Sequence, residues 1–273
     1  MPERRKIFRD NYFLIMIIIK TPQEIEILRE GGRRLAIVLH KVKDVVKPGI
    51  STKDLDDYAF KLIKDMGDTP AFLNYRPAGA KIPFPASLCI SVNDEVVHGI
   101  PSSERILKEG DIVSLDLGLK HKNLFTDMAI TVSVGKISAA SKKLIDITEQ
   151  ALRIGIDSAH AGNTIGDIGN SVENFIRAQK TKYGIVEVLS GHGVGRAIHE
   201  DPYIPNFGKK GKGNKLISGM IIALEPMINL GTKDITLDDD GYTFRTADGK
   251  NSAHFEHTIL ITDGEAEILT KTF

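Results

Sequence analysis

The chain has 273 residues, with 36 Lys+Arg against 36 Asp+Glu, so its formal net charge is zero. That balance gives no sign of the basic surface that non-specific nucleic-acid binding requires. With 41% hydrophobic and 26% charged residues it is an ordinary globular composition, and a single cysteine, Cys89, excludes an intrachain disulfide.

A reducing compartment is therefore the default, and the cytoplasm is expected. The length suits one large α/β or α+β domain or two small ones. Residues 1–10 are basic and Tyr12–Ile19 is an unbroken apolar run. That run is far short of the roughly 20 residues that span a bilayer. Lys20-Thr21-Pro22 follows it without the small-residue site of a cleaved signal peptide, so no membrane segment is expected. Ile15–Ile19 is expected as a buried strand. Met16 is an alternative start, which would make residues 1–15 an upstream extension of unknown role.

A helix should begin at Thr21-Pro22-Gln23-Glu24. Thr21 can cap, Pro22 suits the first helical position and Glu24 completes a capping box. Ile25, Leu28, Leu35, Leu39, Val42 and Val46 give it an apolar stripe, and Pro48-Gly49 ends it. A second helix is expected from about Thr52 to Met66. Residues 70–86 hold four prolines and read as a loop. Ser87–Val92 reads as a strand, Asn93-Asp94-Glu95 as its turn, and Val96-Val97-His98 puts a histidine at a strand end. A lone histidine there is more often structural than functional.

Asp111–Gly135 predicts a hairpin. Val113, Leu115, Leu117 and Leu119 alternate with Ile112, Ser114, Asp116 and Gly118, and a run rich in β-branched residues follows from Leu124 to Val134. If Lys120 and Asn123 close the turn, Asp116 faces Asp127 with Cβ atoms roughly 5 Å apart. Like charges so placed are destabilising. Three readings follow: a cation between the carboxylates, a shared proton, or a different register in which the two never meet. Ser138–His160 and Thr164–Lys180 are expected as helices, the second with Thr164 and Asp167 as a capping pair, and Ile185–Leu189 as a strand. Helix pairs followed by strands thus occur twice, which suggests two similar halves.

Gly191-His192-Gly193-Val194-Gly195 is GxGxG rather than GxGxxG, and no Lys-Ser/Thr follows, so a phosphate loop is disfavoured. Flanking glycines instead leave the His192 imidazole open to approach. The Gly/Lys run 207–215 reads as solvated. Glu225 ends the apolar strand Ile221–Leu224, and Glu256 leads another, with His199 between the two motifs. Asp116, Asp127, His192, Glu225 and Glu256 together make a hard, mostly oxygen donor set of the kind that suits Mn, Fe, Co or Zn. Four carboxylates can balance two divalent ions. Such a pair serves hydrolysis by activating a water and polarising a carbonyl.

With these residues in view the chain resembles the type I methionine aminopeptidases, from Lys20 nearly to the C-terminus. The motifs are NDEVVHGIP (93–101), the Asp116/Asp127 hairpin, GHGVGRAIHEDP (191–202), LEPM (224–227) and FEHT (255–258). The resemblance implies an α+β pita-bread fold, with pseudo-symmetric halves and a curved antiparallel sheet covered by helices, in a single catalytic domain over 16–273. It implies two divalent ions on Asp116, Asp127, His192, Glu225 and Glu256, with Glu225 also the general base and proton shuttle. His98 and His199 would contact substrate, and Phe72, Tyr75 and Cys89 would surround a methionine side chain, although Cys89 read alone is equally a small core residue. The reaction implied is removal of the initiator methionine from nascent chains, at the ribosome, when the second residue is small. A monomer is expected. Type II members carry an insertion before the LEP-like glutamate, whereas only 25 residues, 200 to 224, separate His199 from Glu225 here. X-Pro aminopeptidases usually need a further N-terminal domain. A non-catalytic binding protein on the same scaffold is the other alternative. Three features depart from the family: the longer loop Tyr75–Pro85, Tyr242 where tryptophan is common, and residues 1–15.

Overall fold

The computed structural model describes residues 17–77 and 79–272. In chain order, helices α1 (Pro22–Asp44) and α2 (Thr52–Asp65) precede β1 (Thr69–Pro70), β2 (Leu88–Val92), β3 (Glu95–Val97), β4 (Ile112–His121) and β5 (Leu124–Ser133). Helices α3 (Ala139–Asp157) and α4 (Ile165–Arg177) open the second half. They are followed by β6 (Gly184–Ile185), β7 (Gly191–Gly193), β8 (Glu200–Ile204), β9 (Ile221–Leu224) and β10 (Met227–Asn229). The chain closes with β11 (Ile235–Leu237), β12 (Phe244–Thr246), β13 (Ser252–His254), β14 (Glu256–Leu260) and β15 (Glu267–Ile268). Two helices and then strands occur twice, as the sequence pattern implies.

The expected capping boxes form. Thr21 accepts from the Glu24 N–H while Glu24 accepts from the Thr21 N–H at 2.8 Å, and Asp167 accepts from the Thr164 N–H and hydroxyl at 2.8 and 2.7 Å. The main sheet runs β1-β4-β5-β14-β9-β7-β8, with β2 on β4 and β15 on β14, and every pairing is antiparallel. Two small sheets, β13-β10-β6 and β11-β12-β3, flank it. Leu115, Leu117 and Leu119 of β4 are fully buried with Leu35 and Leu39 of α1 and Leu55 of α2. This alternate face of β4 is therefore the helix-covered one, and the other carries Asp116 and Gly118.

Three local expectations are corrected. The central hairpin turns at Lys122-Asn123, with His121 opposite Leu124, so Asp116 faces Ala129 and Asp127 faces Gly118. Lys122 and Asn123 have φ of 45° and 68°, the both-positive pattern of a two-residue hairpin turn. The register differs from the expected one by two residues. That shift preserves the face, and the two aspartates remain diagonal neighbours on it. Second, residues 17–19 of the expected strand Ile15–Ile19 make only a single bridge, Ile19 to Met220, and Ile19 is 42% exposed; Ile15 and Met16 lie outside the described residues. Third, the expected strand Ile185–Leu189 reduces to Gly184–Ile185. Val188 is 75% exposed and has no place in a core ladder.

The two-residue turn is testable. Lys122→Asn with Asn123→Gly should stabilise the fold by about 1 kcal/mol in urea denaturation, since it relieves an unfavourable left-handed backbone. Destabilisation by the pair would contradict the turn and its register.

Candidate metal centre and adjoining cavity

Strand register puts the singled-out residues on one face. Cys89 of β2 pairs with Asp116 of β4, Asp116 with Ala129 of β5, and Ala129 with Glu256 of β14. Asp127 lies two residues from Ala129 along β5, hence on the same side. His257 pairs with Leu224 at the end of β9, so Glu225 stands next to Glu256 one step beyond the ladder. His192 of β7 pairs with Ala223, two residues from Glu225. Five strands thus deliver Asp116, Asp127, Glu256, Glu225 and His192 to one patch. The β5–β14 seam beneath it is fastened by Thr258, whose hydroxyl donates to the Asp127 carbonyl at 2.8 Å and accepts from the Asp127 N–H at 2.9 Å.

The donor atoms converge. One ligand atom each of Asp127, His192 and Glu256 lie within 4.8 Å of one another. His192 Nε2 is 3.4 Å from Glu225 Oε1. Its Nδ1 lies 2.9 Å from the Gly193 carbonyl, a contact that fixes Nδ1 as the protonated nitrogen and leaves the Nε2 lone pair free for a ligand. Burial lowers the His192 imidazole to about 3, so it is neutral. The carboxyls move the other way. Loss of water is the main cause, and raises Asp116 to about 7 and Glu225 to about 8. Asp127 and Glu256 are also raised, first by burial and then by the neighbouring carboxylates. Asp116 Oδ1 and Glu256 Oε1 are buried without a hydrogen-bond partner. Buried anionic oxygens left unpartnered in a cluster of like charges fit cation binding, and the oxygen-plus-imidazole donor set fits divalent ions of the Mn, Fe, Co or Zn type.

A cavity of about 120 Å³ adjoins the patch. It is smaller than the roughly 300–1,000 Å³ of pockets for drug-sized ligands, which suits a single side chain. Phe72, Tyr75, Cys89, Phe84 and Tyr242 pack together as its apolar wall, and His98 and His199 line it with the carboxylates. All the residues singled out from sequence therefore line one cavity. Glycine at 118 lets Phe72 pack down onto β4, because a Cβ there would lie 2.8 Å from both the Ala71 Cβ and the Phe72 ring. His98 has φ of 60°, and burial lowers its imidazole to about 4. His199 sits at the mouth with its ring 4.5 Å from that of His192, and its Nδ1 is 2.8 Å from the Tyr75 hydroxyl.

Sequence reading missed three contributors. His254 is fully buried, its Nε2 is 3.6 Å from Glu225 Oε2 and 4.0 Å from Glu256 Oε2, and neither ring nitrogen has a hydrogen-bond partner. Its spacing of two from Glu256 was the available signal. Phe84 was hidden in a proline-rich loop. The third is the pair Lys20–Glu200, at 2.6 Å with both side chains almost wholly buried. Glu200 also accepts from the Arg196 and Ala197 N–H groups at 2.5 and 3.0 Å, so the pair ties down the loop that presents His199.

The sequence profile of metallopeptidase family M24 matches residues 26–263. The chain is 44% identical over 256 residues to methionine aminopeptidase 1 of Bacillus subtilis, covering 94% of this chain and 100% of that protein. It is 45% identical over 255 residues to the methionine aminopeptidase of Clostridium perfringens, covering 93% and 99%. Among solved structures, methionine aminopeptidase from Thermotoga maritima superposes with a TM-score of 0.88 at 40% identity, over 94% of this chain and 100% of that one.

Two outcomes are expected. In metal-free protein the raised carboxyls favour the protonated folded state, so their contribution is complete near pH 4 and disappears as pH rises to about 8. Below about pH 6.5 the buried neutral imidazoles of His98 and His192 oppose this trend, because their contribution grows as pH rises. The melting temperature should therefore fall between pH 7 and 8, a divalent ion should restore it, and Asp127→Asn should flatten the metal-free slope. A metal-free melting temperature that rises over that range would contradict the charge assignment. Separately, Lys20→Met leaves Glu200 buried without its cation and should cost about 3 kcal/mol in urea denaturation, whereas a loss below about 1 kcal/mol would show that the pair is dispensable.

Proposed function

The chain belongs to metallopeptidase family M24, and from that premise we propose that it is a methionine aminopeptidase, a metal-dependent hydrolase that removes the N-terminal methionine of polypeptides whose second residue is small. The observation that carries this reading is the junction of a five-ligand carboxylate–imidazole patch with a cavity for one apolar side chain. All five ligand positions carry usable side chains, which disfavours a non-catalytic binding protein. The relatives it matches over nearly their whole length are named methionine aminopeptidases, which disfavours the X-Pro alternative. We read residues 16–273 as one catalytic unit. No helix among the described residues is long and apolar enough to cross a membrane. Action as a monomer in the cytoplasm, on nascent chains at the ribosome, completes the proposal.

Asp116, Asp127, His192, Glu225 and Glu256 would hold two divalent ions, with Co, Mn, Fe and Zn the candidates. When bound, such ions polarise the scissile carbonyl and lower the pKa of the attacking water. The remaining work falls to the chain's own groups. Phe72, Tyr75, Phe84, Cys89 and Tyr242 hold the methionine side chain away from water, which fixes the terminal peptide bond over the patch. Glu225 lies at the edge of the carboxylate patch, largely buried, and would take a proton from the water and return it to the departing amine. The Tyr75 phenol, raised by burial, stays protonated and can donate to His199 Nδ1. His199 Nε2 then carries the hydrogen and points a donor at the carbonyl oxygen, where negative charge develops. Neutral His98 supplies a second polar contact to the substrate.

Hydrolysis of a Met-Ala-Ser peptide by metal-stripped protein tests this reading, with and without added Co, Mn or Fe. Metal-dependent release of methionine is expected, and Glu225→Gln should lose about 10²–10⁴ in rate. If metal binds with no cleavage of any methionyl peptide, the substrate reading is wrong. If no metal binds, the ligand assignment is wrong as well.

A further inference from the structure

The loop between Tyr75 and Pro85 and the tyrosine at 242 are the two departures in the pocket wall, and the structure brings them into contact. At its base the loop is closed by backbone pairing: the Phe84 N–H donates to the Tyr75 carbonyl at 2.8 Å, and the Asn74 N–H to the Phe84 carbonyl at 2.9 Å. Within the projecting part, Arg76 Nε donates to the Ala80 carbonyl at 3.0 Å and the Ala80 N–H to the Pro77 carbonyl at 3.1 Å. These bonds shape the loop without attaching it to anything else. Among the described residues, the hydrogen bond that ties positions 79–83 to another part of the fold comes from the Tyr242 hydroxyl, which donates to the Ile82 carbonyl at 2.5 Å. The Tyr242 ring also packs edge-on against Phe84, with centroids 5.2 Å apart.

We propose that the Tyr242 hydroxyl is a latch that holds this loop over the apolar end of the cavity and thereby sets how tightly the first side chain of the substrate is gripped. A phenylalanine ring would fill the same wall but carries no donor for the Ile82 carbonyl. The longer loop and the tyrosine are then one device: the loop's tip projects with Ile82 54% exposed, and the phenol supplies the attachment that its own backbone does not. Tyr75 and Pro77 of the loop and Tyr242 itself line the cavity, so release of the tip alters the wall. That the gripped side chain is methionine rests on the function proposed above; the latch itself does not.

Tyr242→Phe removes the hydroxyl and keeps the ring. The test uses metal-loaded protein and two readouts. The first is trypsin cleavage at Lys81–Ile82, followed by mass spectrometry; the nearby Arg76 precedes a proline and resists the protease. The variant should be nicked about three- to ten-fold faster than the wild type, the range that one net hydrogen bond supports, and free L-methionine should slow nicking in both. The second is steady-state hydrolysis of Met-Ala-Ser and Leu-Ala-Ser. The loss on the methionyl peptide should fall mainly in KM, and the preference for methionine over leucine should narrow. Equal nicking of the two proteins overturns the latch. Faster nicking with wild-type KM and selectivity overturns its role in gripping substrate. If neither protein cleaves a methionyl peptide with any metal, the proposed function fails, while the nicking ratio still decides whether the latch exists.

Discussion

Four carboxyl groups held together out of water are the constraint that the rest of this structure serves. Each would be ionised in water near neutral pH, and each is pushed toward its neutral form by burial, with neighbouring carboxylates adding to the shift at Asp116, Asp127 and Glu256. A single buried carboxylate of this kind is unfavourable, and a cluster is tolerated only with a compensating cation or with shared protons. The fold therefore needs a surface stiff enough to hold them against their own repulsion. Adjacent antiparallel ladders provide it. Asp116 and Asp127 come from the first half of the chain, and His192, Glu225 and Glu256 from the second. The halves meet at the β5–β14 seam, where the Thr258 hydroxyl bonds the Asp127 backbone in both directions. An ion held at this point would link both halves as well as serve chemistry.

Much of this was legible because sheets have a period of two. The carboxylates alternate with Leu115, Leu117 and Leu119, so the sequence separates a helix-covered face from an open one before any pairing is known. The hairpin register was wrong, yet the conclusion about shared face survived, since an error of two residues restores the same side and an error of one would not. The turn itself was obscured because Lys122-Asn123 lacks the glycine that marks most turns of its class. Ile15–Ile19 looked like a core strand from composition alone. Short apolar runs do not reveal whether a partner edge exists to receive them, and at Ile19 the available edge is a single bridge to Met220. His254 escaped notice because its role depends on a neighbour two residues away and on Glu225, which comes from a different strand; only the folded pairing of β13 with β10 brings them together.

The two ends of the cavity are built by different means, and that difference bears on how the site can vary. Ligand positions lie within or immediately next to paired strands, where backbone ladders on both sides fix the Cα positions to which each donor is attached. The substrate end is assembled from connecting segments. Their positions depend on a few bonds, many of them from side chains: Lys20–Glu200 and Arg196–Glu24 for the stretch before β8, Tyr75 to His199 at the mouth, and Tyr242 to Ile82 at the loop tip. A ladder distributes a perturbation over many hydrogen bonds, whereas a segment held by one side chain moves when that side chain changes. Selectivity for the first side chain can thus drift through one or two substitutions, while the ion-binding end changes only if the sheet register does. Two of the three departures of this chain from its resemblance family, the 75–85 loop and Tyr242, fall on the substrate end, and none falls among the five carboxylate and imidazole positions.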